Sequence, residues 1–122
     1  MGAFHASTFF VIASAVLFLL GIGVAEAADP TQLAETAGYL LGNACRCGVP
    51  TERVGHAGKV IHDLIVAAAY DRTEEAAADS RFVEIFMASA FQDYEGPLIP
   101  PCNVVVAKFE RLERHHRQSG MN

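Results

Sequence analysis

Apolar residues fall into four helical stripes along this chain, behind one N-terminal block in which they are nearly continuous. From Thr31 onward, Leu33, Ala37, Leu40, Leu41 and Ala44 recur at three- and four-residue steps, which places them on one side of an α-helix. Asp29, Pro30 and Thr31 supply a start, because a short polar side chain caps free backbone N–H groups and proline is tolerated in the first turn. The helix is expected to stop near Cys47-Gly48: glycine accepts the left-handed conformation that closes helices, and Pro50 disfavours helical geometry at Val49. A second helix is expected from Pro50 or Thr51 to between Tyr70 and Arg72, with Val54, Ala57, Ile61, Leu64 and Ala68 on its seam. Thr73, followed by Glu74 and Glu75, reads as the N-cap of a third, with acids where they complement the helix dipole. That helix turns Ala78, Phe82, Ile85, Phe86 and Ser89 inward and Arg81 and Glu84 outward, and runs out between Asp93 and Gly96.

The stretch "GPLIPP", Gly96 to Pro101, breaks the helical pattern, since its three prolines fix φ and remove backbone donors. Beyond it Cys102, Val105, Val106, Phe109, Leu112 and His116 resume the helical period. Val104 to Val106 alone would suit a strand, but the seam continues through them and predicts a fourth helix. Glu110 with Arg114 and Glu113 with Arg117 stand at i, i+4 in the favourable acid-first order, and "RHHR" places cations where a helix C-terminus welcomes them. Four stripes on short connections predict an all-α fold, a small four-helix-bundle-like domain.

The N-terminal block is of another kind. Phe9 to Val24 is almost uninterruptedly apolar, and "VAEAADP" after it contains an A-x-A site at Ala25-Glu26-Ala27. Residues 1–27 therefore read as a secretory signal peptide and 28–122 as one helical domain. The n-region "MGAFHAS" lacks Lys and Arg, unlike most such signals, so the alternative is a membrane anchor over residues 9–25. A span, however, asks for roughly 20 apolar residues, and Gly21, Gly23 and Glu26 erode this run. The expected compartment is the periplasm or the exterior, with membrane contact only if the segment is not cleaved.

Charge narrows the function. Nine Lys and Arg against 14 Asp and Glu give a net charge of −5 with no basic stripe, which argues against nucleic acid as a partner. Export makes the three cysteines read first as one disulfide and one spare thiol. Cys102 opens the last helix on its apolar side and is the common partner. Cys47 continues the stripe 33, 37, 40, 44 by three more residues, so Cys47–Cys102 is the first choice and Cys45–Cys102 the alternative. The odd cysteine leaves a disulfide-linked homodimer open.

Two chemical alternatives use the same residues. Cys45-Arg46-Cys47 read as a C-x-C redox pair would make the chain a thiol oxidoreductase, although no βαβ pattern of a thioredoxin-like domain accompanies it. Cys45, Cys47, Cys102, His56 and His62 include soft ligands suited to Cu(I) or Zn²⁺, but not at the spacing of a closed zinc site. No phosphate loop, nucleophile elbow or H-E-x-x-H is present, the His-Asp neighbours of "IHDLI" point apart on a helix, and no cofactor is implied. The expectation is a non-enzymatic module that binds a partner protein. Candidate contact residues are Phe91, Tyr94, Leu98 and Ile99, where a proline-bounded segment presents apolar side chains at little entropic cost; Tyr39, Leu41 and Tyr70 are further apolar candidates.

With "YLLG" in its first helix, "CGVP" opening the second and "PPC" late, the chain resembles the small periplasmic immunity proteins that protect bacteria from type VI secretion effectors. The resemblance covers most of residues 39 to 102, leaves the helix after Cys102 as an addition, and implies binding to another protein. A periplasmic acid-stress chaperone is similar in size, helical content and single disulfide.

Overall fold

In a computed structural model, which describes residues 29–92 and 99–120, the four stripes are four packed helices. These are α1 (Pro30–Arg46), α2 (Thr51–Ala68), α3 (Arg72–Ala90) and α4 (Cys102–Gly120). The segment read as a signal peptide, residues 1–27, lies outside the described residues. Among those described, no helix is long and apolar enough to cross a membrane.

Helix α1 is the axis of the bundle, and each of the others packs on it. It is buried over more of its circumference than one stripe, since Ala34, Gly38, Gly42 and Asn43 are covered as well as the expected Leu33, Ala37, Leu40, Leu41 and Ala44. Small side chains allow this. A Cβ on Gly38 would stand 2.8 Å from the Phe82 carbonyl oxygen, and one on Gly42 would stand 2.5 Å from that of Phe86 and 2.7 Å from Ser89 Cβ. The backbones of α1 and α3 therefore meet almost directly. From the other sides Ile61 and Ile65 of α2 and Phe109 of α4 complete the core and are fully buried, as are Leu33 and Leu41.

The helix ends follow local chemistry. Asp29 Oδ1 accepts from the Thr31 and Gln32 amides, as expected of a cap. Gly48 closes α1 at φ +90°, with its N–H on the Cys45 carbonyl and that of Val49 on the Ala44 carbonyl. This is the paired bonding of a Schellman ending, and Val49 is buried beside it. One cap differs from expectation. Asp71, not Thr73, caps α3: its side chain accepts from the Glu74 amide at 2.9 Å while Glu74 Oε1 accepts from the Tyr70 amide. Only Asp71 has a glutamate three residues on to reach back across the first turn. Helix α2 accordingly stops at Ala68, and α3 stops at Ala90, short of the expected Asp93.

Cys47 and Cys102 form the disulfide, with 5.4 Å between their Cα atoms and 55 residues between them in sequence. The bond fastens the end of α1 to the start of α4. Arg46 reinforces the join: its guanidinium donates to the Pro100 carbonyl at 2.9 Å and to Asn43 Oδ1 at 3.0 Å, and lies 3.7 Å from Cys102 Sγ. Asn43 is itself buried and anchored on the Tyr39 carbonyl. The residue between the two upstream cysteines is thus a polar link between the end of α1 and the segment that enters α4. Glu113 likewise leaves Arg117 for Arg53 of α2, which binds both its carboxylate oxygens and lies over the Phe109 ring, 5.6 Å from its centroid. A fork-to-fork pair across a helix interface outcompetes a same-helix neighbour in geometry.

Candidate functional site

Helix α3 is apolar on two sides. Its inner side carries the buried Ala78 and Ser89 and the half-buried Phe82, Ile85 and Phe86, with the Phe82 and Phe86 rings stacked 6.0 Å apart. Opposite to it, Val83, Met87 and Phe91 follow one another at four-residue steps and are 57%, 49% and 68% exposed. Residues four apart share a helix face, so these form one continuous outward ridge. Ala76 and Ser80 extend it toward the N-terminus with small side chains that are also exposed. Helical spacing puts Glu84 on one flank and Asp79 on the other, the former shared with Arg81 at 2.8 Å.

This ridge contains one of the four residues expected to contact a partner, Phe91. Ile99 is half-buried just before α4, and Tyr94 and Leu98 lie outside the described residues. Of the other apolar candidates, Tyr70 is 91% exposed on the turn between α2 and α3, and Tyr39 is exposed on α1. Leu41 is not: it is fully buried, in keeping with its place on the apolar stripe of α1. Val83 and Met87 are not among the expected contact residues. Their signal is present as a second four-residue step, 83, 87, 91, running behind the inward one.

The titratable side chains of the described residues are all exposed or half-buried. Cys47 is bonded to Cys102, which leaves Cys45 as the free, half-buried thiol, so Cys45 and Cys47 do not share a bond here. His62 pairs across the helix gap with Asp79 at 3.1 Å rather than with its neighbour Asp63. The hydrogen bond to Asp79, and then the charges of Asp79, Glu75 and Asp63, raise its pKa above the ordinary imidazole value. His62, Glu75 and Asp79 each bring a ligand atom to within 4.8 Å of the others, so among the described residues this trio, rather than the cysteines and His56, is where metal-ligating groups converge. All of it is solvent-accessible and the His62–Asp79 hydrogen bond suffices to explain it. Comparison with family models, curated proteins and solved structures finds no match, and the likeness to the immunity proteins rests on its three short strings alone.

Proposed function

We propose that this chain is exported and acts as a non-enzymatic, disulfide-stapled module that binds another protein through the outer ridge of α3. The observation that carries the reading is the exposure of Val83, Met87 and Phe91 in line, on a helix whose opposite side is already packed. Aligned apolar side chains in water mark contact surfaces more often than stray ones do. The occupant that fits is an amphipathic helix of a partner with basic flanks: a straight ridge with small residues at one end takes a helix laid along it, and the chain is acidic overall at −5. The Cys47–Cys102 bond supports residence in an oxidising compartment, the periplasm or the exterior.

A Leu/Lys amphipathic helical peptide and its Leu/Glu twin test this directly by fluorescence anisotropy. The basic peptide should bind at least about tenfold tighter than the acidic one, and Val83→Asp with Met87→Asp should abolish the difference while leaving the helical signal and melting curve intact. Equal binding of both peptides, or binding indifferent to the double variant, sinks the proposal. So does a concentration-dependent homodimer that the double variant dissolves, since the ridge would then belong to a second copy. Mass spectrometry of protein from its native compartment should show Ala28 as the first residue.

A further inference from the structure

Helices α2 and α4 both lean on α1, yet their own backbones stay apart. The side chains between them leave a cavity of about 260 Å³, far from the α3 ridge in sequence and built from different elements. Its floor is Ala57, Val60 and Leu112, of which Ala57 and Leu112 are part of the core. Its rim is polar. His56 and His116 meet edge to face there, ring centroids 5.8 Å apart, with Glu113 and Arg117 beside them.

The charges on that rim are unequal. Glu113 accepts two hydrogen bonds from Arg53, and that pairing holds its carboxyl below the usual range. Its negative charge is therefore matched from the α2 side. Arg117 also acts on Glu113 through its charge, but among the described residues it makes no hydrogen bond or close ion pair like that of Arg53, and the two imidazoles add N–H donors, so with Glu113 already held by Arg53 the rim keeps positive and hydrogen-bonding character for an incoming group. An apolar floor with a few convergent polar groups is the usual build of a small-molecule site, and this one lies just below the roughly 300–1,000 Å³ of drug-sized pockets.

We infer that the α2–α4 cleft binds a small amphiphile with one anionic head, a medium-chain carboxylate, its chain on Ala57, Val60 and Leu112 and its carboxylate toward Arg117 and the His56–His116 pair. A guanidinium is suited to a planar carboxylate because its forked N–H groups meet both oxygens. This site is independent of the α3 ridge, and the double aspartate variant of that ridge should leave it unchanged.

The experiment is an NMR titration of the full exported chain with octanoate and with octanol. Octanoate should give saturable shifts centred on the amides of residues 56–60 and 112–117, and octanol should bind about tenfold more weakly, the loss expected when one charge-assisted hydrogen bond is absent. Arg117→Gln should bring octanoate down to the octanol level, and Val60→Phe, which fills the cavity, should weaken both ligands. Absence of saturable shifts, equal binding of acid and alcohol, an unaffected Arg117→Gln variant or shifts centred elsewhere would each overturn the inference. Binding to anionic phospholipid vesicles without binding to octanoate would also overturn it, since the anion would then be a lipid surface and not a ligand of the cleft.

Discussion

Glycines at equivalent-looking helix positions have opposite roles in this chain. At Gly42 the space a methyl group would need is held by backbone and Cβ atoms of α3, which cannot turn aside as a flexible side chain can. At Gly55, on an exposed part of α2, nothing lies within 4 Å of the same added carbon. Alanine substitution should therefore split in sign. Gly42→Ala should lose about 1–3 kcal/mol by overpacking the α1–α3 contact, whereas Gly55→Ala should gain about 0.4–1 kcal/mol by restricting the unfolded chain. Urea unfolding of the two variants checks this, and a loss at both positions would mean that helix propensity is not what limits α2. The string Gly38-x-x-x-Gly42 is visible in the sequence, but spacing alone does not say which helix fills the notch. Cys47 was legible because its position on the α1 stripe follows from periodicity. Arg46 was not, because the Pro100 carbonyl it bonds lies 54 residues away in sequence and reaches it only through the return of the chain to the end of α1.

Between elements, α2 is tied to its neighbours by two polar links that respond to pH in opposite directions. Glu113, paired with Arg53, has a folded pKa below its unfolded value, so the stability it contributes is present above the unfolded value of about 4.3 and is lost as pH falls through the folded one. His62, paired with Asp79, has a folded pKa above its unfolded value of about 6.5, so its contribution is full below that pH and is lost as pH rises through the folded value. Both links are partly exposed and should be small and salt-sensitive. Calorimetric melting temperatures at low salt should show Glu113→Gln flattening the acid limb below about pH 5, and His62→Ala removing a decline that the natural chain shows as pH rises above about 6.5. Profiles parallel to that of the natural chain would show that neither link couples helix packing to protonation. Element boundaries were legible where a cap has one reading, as at Asp29 and Gly48. They were not at α3, where Asp71 and Thr73 compete and the glutamate at position 74 decides. The outward ridge escaped because α3 is apolar on both sides: the step 83, 87, 91 is present in the sequence, but only the packed structure shows that this side, and not the other, is left exposed.

At the scale of the whole molecule the disulfide determines how α4 is held. Helix α4 enters the core through Val105, Phe109 and Leu112, while the cleft beside α2 leaves one of its sides without close helix packing. The covalent bond to Cys47 keeps this less enclosed helix in reach when local contacts open, because it removes the freedom of the 55-residue loop from the unfolded ensemble. In the chain-entropy account a loop of that length is worth roughly 4 kcal/mol, a large fraction of the total for a domain that buries only about 60% of its unfolded surface. Reduction, or Cys47→Ser with Cys102→Ser, should accordingly lower the urea midpoint strongly and release α4 first, seen as loss of amide protection at residues 105–112 ahead of α1. Cys45→Ser should leave both measurements close to those of the natural chain, since that thiol takes no part in the bond. If α4 stays protected in the reduced chain, the core contacts of Phe109 alone suffice to hold it, and the bond then serves only to slow unfolding rather than to set the equilibrium.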